Sequence, residues 1–191
     1  MYVPKPFAMN DRGEQIAFIK AHPFGVVVSA PGAAADPIQA THVPFVVLGT
    51  EEAPRLGLHV ARANPQWQTI NDAPVLCIFT GDHAFVSASW YGDPQHSVPT
   101  WDYSAVHVRG RASLASDETR EQILRGLTRE NEPDGGWSMD KADPPYLDAN
   151  RRAIVAIEVA IERIDGVNKW SQNRTAADRE RVGSALGRTL I

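Results

Sequence analysis

Cysteine is almost absent from this sequence, which has Cys77 alone among 191 residues. A single cysteine cannot form an internal disulfide, so we expect a protein of a reducing compartment, the cytoplasm. Cys77 lies in the apolar run Val75–Phe79. That setting predicts a small buried core residue and not a reactive thiol.

Long hydrophobic runs are also missing. No apolar stretch approaches the ~20 residues that a membrane-spanning helix needs. The segment Met1–Pro6 lacks the basic and then apolar pattern of a secretory leader. We therefore expect neither a leader nor a membrane partner.

Basic clusters are scarce. The chain has 19 Lys and Arg against 23 Asp and Glu, a formal net charge of −4. The only concentrated basic region, near the C-terminus, is interrupted by Asp178 and Glu180. There is no helix-turn-helix signature, so direct DNA binding is doubtful.

The common catalytic and phosphate-binding motifs are absent too. The chain contains no G-x-G-x-x-G, Walker or G-x-S-x-G pattern. Its six histidines never fall at H-x-H or H-x-x-x-H spacing. We therefore predict no metal site and assign no catalytic residue.

Short alternating apolar segments dominate what is present. They predict strands over Phe24–Ser29, Ile38–Leu48, Arg55–Ala61, Trp101–Leu114 and Ala153–Ile164. Val75–Phe79 and Ala84–Ser87 flank Gly81-Asp82, a two-residue hairpin signal. The small residues of Ala30–Asp36 predict a turn, and Asn131–Pro145 reads as a loop.

Helices are predicted after Asp11, from Pro65, over Asp117–Glu130 and from Thr175 to the end. The pattern favours a mainly β fold with peripheral helices. We predict one domain over residues 1–191, an antiparallel barrel of six or seven strands with a C-terminal helix.

The decapeptide Leu58–Trp67 carries the clearest functional signal. It joins a strand to a predicted helix start, with Asn64 as N-cap and Pro65 at the first helical position. A helix N-terminus and the forked donors of Arg62 together suit a phosphate. An ordinary capped helix with a solvated arginine is the alternative.

Three further segments suggest a ligand site. Pro44 inside the strand segment Ala40–Phe45 indicates either an ordinary edge strand or an open ladder, where backbone groups are free to meet a flat polar ligand. Trp101 and Tyr103 could stack on a ring. Lys169–Arg174 concentrates donors after Asp165-Gly166, interpreted as a turn.

Taken in order, these segments resemble the PaiB family of FMN-binding split-barrel proteins, which are labelled negative transcriptional regulators. The resemblance begins at Met1–Phe7 and ends at Lys169–Arg174. It implies a split barrel and a homodimer with FMN at the interface. The alternating apolar residues of Ala153–Ile164 are a second reason to expect a homodimer, because they could extend a surface that two copies share.

By position, the resemblance places the isoalloxazine beside Thr41–Pro44 and the phosphate beside His59–Asn64, while Lys169 and Gln172 approach from the C-terminal segment, across the interface. The predicted cofactor-binding residues are Thr41, His42, Val43, Pro44, His59, Val60, Ala61, Arg62, Asn64, Trp67, Trp101, Tyr103, Lys169, Gln172 and Arg174.

Three functions stay open at this point. The first is an FMN-binding regulatory protein, acting indirectly on transcription. The second is an FMN-dependent oxidoreductase of a small molecule, in which the flavin carries the redox chemistry. The third is a haem-handling split-barrel relative, with His42 or His59 as the iron ligand.

Overall fold

The computed structural model describes residues 1–30 and 38–190. Residues 31–36 of the predicted turn Ala30–Asp36 lie outside the described residues. The strands are β1 Ala8–Met9, β2 Phe24–Ser29, β3 Gln39–Pro44, β4 Val46–Gly49, β5 Pro54–Ala61, β6 Pro74–Val86, β7 Thr100–Leu114 and β8 Ile154–Lys169. The α-helices are α1 Arg12–Ala21, α2 Trp67–Ile70, α3 Asp117–Asn131, α4 Pro144–Ala153 and α5 Ala176–Leu186.

The strands form one antiparallel sheet in the order β3-β2-β6-β7-β8-β5-β4, and β1 pairs with β8 beside this path. The two end strands, β3 and β4, are separated in sequence only by Phe45. The sheet must therefore curl until its ends meet. The result is a split barrel with helices around it, as the sequence predicts.

The inside of the curled sheet holds the main core. Leu56 and Leu58 of β5, Val106 of β7 and Ile157 of β8 have no exposed surface. Cys77 is also fully buried, and burial raises the pKa of its thiol to about 12. The thiol is therefore protonated and unreactive at neutral pH, as its apolar setting predicts.

The apolar alternation of Ala153–Ile164 belongs to this core. Val155, Ile157 and Val159 are all buried among residues of the same chain. The prediction that these side chains extend a surface shared between copies is therefore wrong. A core-facing strand and an interface-facing strand show the same alternation, so the sequence could not separate them.

Helix α3 covers the outer face of β4 and β5. Ser116 caps it by accepting a hydrogen bond from the Thr119 N–H, and Ile123 and Leu127 pack on Val46. The helix approaches closely because Gly57 has no side chain: a Cβ there would lie 2.6 Å from Ile123 Cγ1.

The predicted hairpin at Gly81-Asp82 is wrong. Both residues lie inside β6, which runs unbroken beside β7, and the register shifts by one residue between Thr80 and His83. Gly81 and Asp82 thus belong to a β-bulge. A glycine followed by a small polar residue suits a bulge as well as a two-residue turn.

Other boundaries also differ. The predicted strand Ile38–Leu48 is broken at Phe45, whose N–H donates to Pro23 O at 2.8 Å instead of joining a ladder. Asp165-Gly166 is not a turn, because β8 continues through it to Lys169. Helix α4 was not predicted, although Asp143 caps it and Pro144 opens it.

Candidate functional site

The junction after β5 differs in detail from its prediction. Regular helix begins at Trp67, not at Pro65, and α2 has only four residues. Asn64 Oδ1 nevertheless accepts a hydrogen bond from the Gln66 N–H at 2.9 Å, the bond expected of a cap. So short a helix offers little dipole, and an anion here has to be held by particular donors.

Arg62 is the first such donor. Its Nε donates to Arg152 O at 2.7 Å and its Nη2 donates to Ile154 O at 3.1 Å. No carboxylate in residues 1–30 and 38–190 forms an ion pair with it. Because two neutral carbonyls fix the guanidinium without neutralising it, Arg62 presents an oriented, uncompensated positive charge at the surface.

The expected role of this guanidinium changes accordingly. The sequence predicts that its fork grips two phosphate oxygens, but the Nε–Nη2 edge is occupied by protein carbonyls. Nη1 remains for a ligand. Trp67 supports the arrangement, since its Nε1 donates to Arg62 O at 2.8 Å and its ring lies 5.7 Å from Arg62 Cζ.

The backbone supplies a second donor beside Arg62. The Arg62 N–H is used by Ala153 O and the Asn64 N–H by Ala61 O. Between them, the N–H of the exposed residue Ala63 has no hydrogen-bond partner in the described part of the chain. A free N–H next to a fixed cation is a small anion-binding arrangement.

A buried polar network joins this junction to β3. Thr41 Oγ1 donates to Gln66 Oε1 at 2.5 Å, and Asn64 Nδ2 donates to Thr41 Oγ1 at 2.9 Å. Gln66, which is 1% exposed, also donates to Ser29 Oγ at 3.0 Å. The structure thus brings together the predicted residues Thr41 and Asn64 through Gln66, which the sequence reading missed.

The network joins β3 to the turn after β5, and the described residues show no strand pairing between β3 and β5. Among the described residues, β3 pairs only with β2. Strand β5 pairs with β4 up to Gly57, so β8 is the only described strand that pairs with Leu58–Ala61. Pro44, at the end of β3, has no N–H to donate. Pro44 pairs with Phe24 of β2, so the structure shows an edge strand at Pro44, the plainer of the two possibilities that the sequence leaves.

The remaining residues near the junction face in different directions. Val43 and Val60 are 6% and 3% exposed and point into the core, so only their backbone could meet a ligand. His42 is exposed and stacks on Phe24 at 6.3 Å between ring centroids. His59 is half-buried on the outer face, and burial lowers the pKa of its imidazole.

The second half of the predicted site lies elsewhere. Ala61 pairs with Ile154 at the start of β8, whereas Tyr103 pairs with Lys169 at its end. The 16 residues of β8 span roughly 50 Å along the strand at ~3.3 Å per residue. The structure does not bring Tyr103 and Lys169 to Arg62 within one chain.

Several donors of this second group are already engaged. Lys169 Nζ donates to Thr100 Oγ1 at 2.6 Å and to Trp101 O. Gln172 Nε2 donates to Asn168 O at 2.5 Å, and the Arg174 guanidinium lies 4.2 Å from the Tyr91 ring centroid. These side chains are thus held by contacts within the same chain.

Aromatic rings next to this segment are exposed. Trp101 is 56% exposed and Phe85 is 47% exposed, and the two rings meet edge to face at 5.9 Å. The His83 ring lies 6.0 Å from that of Trp101. We refer to His83, Phe85 and Trp101 as the aromatic patch.

The described residues contain neither a membrane-spanning helix nor a cluster of metal ligands. No helix there has both the length and the hydropathy to cross a bilayer. No group of three or more His, Cys, Asp or Glu side chains is arranged to hold a metal ion.

Comparison with known proteins decides the family. A sequence profile described as "Putative FMN-binding domain" matches residues 1–163. The chain belongs to this family. It is also 36% identical over 181 residues to "Protease synthase and sporulation protein PAI 2" of Bacillus subtilis, covering 93% of this chain and 85% of that one. The resemblance to PaiB is confirmed, and FMN is the cofactor that family membership assigns.

Solved structures agree on the fold. The flavocytochrome Anf3 of Azotobacter vinelandii matches with a TM-score of 0.67 at 18% identity, over 88% of this chain and 72% of that one. The FAD and heme binding protein of Mycobacterium smegmatis matches with a TM-score of 0.58 at 14% identity, over 92% and 80%.

The junction residues fit a flavin mononucleotide. Arg62 offers an uncompensated charge and Ala63 a free N–H for a phosphate. The open edges of β3 and β5 offer backbone groups for the polar rim of a flat ring. An anion with an attached planar heterocycle suits this combination.

Proposed function

We propose that this protein binds FMN across the open edge between β3 and the end of β5, with the phosphate on Arg62 Nη1 and the Ala63 N–H. The observation that carries the proposal is the fixed, uncompensated guanidinium of Arg62. The Thr41–Asn64–Gln66 network would keep the two strand edges at a constant separation.

FMN supplies one- and two-electron transfer chemistry when bound. The chain's own contribution is to bind and orient it. The Arg62 charge offsets the phosphate charge, and the backbone along Thr41–Pro44 is free to meet the ring edge.

We further propose a homodimer with the flavin at its interface. Trp101, Tyr103, Lys169 and Gln172 lie at the opposite end of β8 from Arg62, so they can share a flavin with it only if a second copy supplies them. The aromatic patch supports the same proposal, because exposed aromatic rings are typical of interface cores.

The biological role that we favour is regulatory and indirect, in the cytoplasm. Its support is the similarity to PAI 2, whose name refers to protease synthesis and sporulation, and the single buried cysteine. An FMN-dependent oxidoreductase is the alternative, favoured by the exposed open edge at which a small molecule could reach a bound ring.

A visible spectrum with a mass measurement tests cofactor and assembly together. Purified protein incubated with FMN and desalted should keep a flavin spectrum, and light scattering should give twice 20.9 kDa. A Soret band would instead assign haem. Loss of all flavin on desalting at micromolar protein, or a monomer mass, would overturn the corresponding part of the proposal.

The aromatic patch provides the matched variants. Trp101→Asp should shift the mass toward monomer and weaken FMN retention, since a charge in an interface core is costly. Trp137→Asp, at a similarly exposed tryptophan on another face, should do neither. If both variants stay dimeric, the patch is not the interface.

A further inference from the structure

A cavity of about 270 Å³ lies on the outer face of the sheet, under α3 and α4. It is floored by His59 of β5 and Ile154 of β8 and walled by Leu124, Leu127 and Leu147. Trp137, 44% exposed, stands on its solvent side. The proposed flavin site uses the open edge of β3 and β5 and leaves this cavity unexplained.

His59 is the distinctive side chain of the cavity. Its Nδ1 is sealed from solvent and has no hydrogen-bond partner in the described residues. His59 is a lining residue of the cavity, and with Nδ1 sealed, Nε2 is the ring nitrogen left to meet a ligand there. A proton on Nε2 can meet water or a ligand, whereas a proton on Nδ1 would leave a buried donor unmet.

The charge of the cavity is close to neutral. Burial lowers the pKa of His59, which keeps the imidazole uncharged at pH 7. Arg151 also lines the cavity, but it pairs with Glu121 at 2.6 Å and with Asp148 at 2.7 Å. The walls thus favour an uncharged, mainly apolar ligand over an anion.

We propose that this cavity binds a small neutral aromatic or alicyclic molecule through a carbonyl-type acceptor that receives a hydrogen bond from His59 Nε2. The apolar walls would bury the ring, and His59 would select for the acceptor. The site adjoins the proposed flavin site along β5 but uses side chains on the outer face of the sheet, and the proposal does not rest on flavin binding.

The test compares acetophenone with ethylbenzene, which has a similar shape and no acceptor. Both are titrated into the full-length protein, with methyl-labelled leucine and methionine followed by NMR. Acetophenone should shift the methyl signals of Leu124, Leu127 and Leu147. It should bind about 2- to 10-fold more tightly than ethylbenzene, the range for one neutral hydrogen bond.

Two variants distinguish the hydrogen bond between His59 and the acceptor from the apolar contacts of the cavity. His59→Phe keeps an apolar ring and should make the two affinities equal. Asn150→Trp changes an exposed residue at the cavity and should block both probes by filling the space. Its position outside the core makes it a folded control if His59→Phe is unstable.

Three results would overturn the proposal. One is the absence of shifts at these leucines with either probe. Another is a preference for acetophenone that persists in His59→Phe. The third is competition between FMN and acetophenone, which would assign the cavity to the flavin. If FMN does not bind, only the proposed function is contradicted. The titrations with acetophenone and ethylbenzene should then give the same result.

Discussion

At the residue scale, the proposed flavin site depends on Arg62, whose guanidinium is held by Arg152 O and Ile154 O. The sequence placed an arginine beside a capped turn and predicted an anion site. It could not show that two carbonyls 90 and 92 residues away fix the guanidinium. Those contacts depend on the return of β8 beside β5, a long-range pairing that no local pattern encodes.

Gln66 is a buried polar residue of the site that the local sequence does not predict. It lies between Pro65 and Trp67 at the predicted helix start, yet it is 1% exposed and bonds to residues of both β2 and β3. Local propensity gives no sign of such burial. A polar residue next to an Asn-Pro cap was the one available signal.

Asp165 offers a prediction about pH. It is 7% exposed and accepts hydrogen bonds from the Met1 amino group at 2.9 Å, from Arg163 at 2.8 Å and from Arg109. Burial alone would raise its pKa, but these three donors outweigh burial and lower it from 3.8 to about 2. A lowered pKa stabilises the folded state above pH 4, and this contribution is lost as the pH falls toward 2.

Asp165→Asn should therefore flatten the fall in the free energy of unfolding between about pH 4 and pH 2, measured by urea denaturation. Asp134→Asn, at an exposed loop carboxylate, is the control and should keep the wild-type slope. An unchanged slope in Asp165→Asn would show that the carboxylate is not held in its charged form.

At the element scale, most strands and helices follow from local patterns. Strands β2 and β7 and helices α3 and α5 all begin within one residue of where the sequence predicts them. The errors fall where one pattern fits two structures. Gly81-Asp82 suits a hairpin or a bulge, and the choice depends on whether β7 continues alongside.

The β7–β8 ladder should be sensitive at Gly110, beside the second register shift. A Cβ at this position would lie 2.1 Å from Ala160 O, a backbone atom that cannot move aside. Gly110→Ala should therefore destabilise the protein by about 3 kcal/mol, the upper end of the usual cost of overpacking. Chemical denaturation measures the change.

Ser113→Ala, three residues further along β7, is the matched control, because it removes one atom and introduces no clash. We expect a change of about 0.5 kcal/mol or less there. Equal stabilities of the two variants would mean that the ladder is looser at Gly110 than the structure indicates.

At the scale of the whole molecule, charge predicts weak interaction with DNA. The net charge is −4, and α5 mixes signs, with Arg181 paired to Asp178 at 3.1 Å. We expect the isolated protein to bind duplex DNA no more tightly than ~10⁻⁶ M at physiological salt, the level of non-specific binding. Fluorescence anisotropy with competitor DNA measures it, and a nanomolar Kd would refute a purely indirect regulatory role.

The topology also bears on how the site is assembled. The sequence supplied two sets of residues for one cofactor, and the fold places them at opposite ends of β8. A sequence has no coordinates, so it could not show that the sets are far apart in one chain. The separation is what makes a second copy part of the proposed site.

The central claim is that Arg62 and Ala63 bind the phosphate of FMN. Riboflavin tests this claim, because riboflavin has the same ring as FMN and lacks the phosphate. Flavin fluorescence titration of the wild type should show FMN binding at least ~10-fold more tightly than riboflavin. Arg62→Ala should reduce this preference by roughly 10- to 150-fold, the range for one charged hydrogen bond. If the wild-type preference is smaller than that, the variant should bind the two flavins with equal affinity. Arg12→Ala, an exposed arginine of α1, should keep it. Equal affinities for the two flavins in the wild type, or an undiminished preference in a folded Arg62→Ala, would contradict the account.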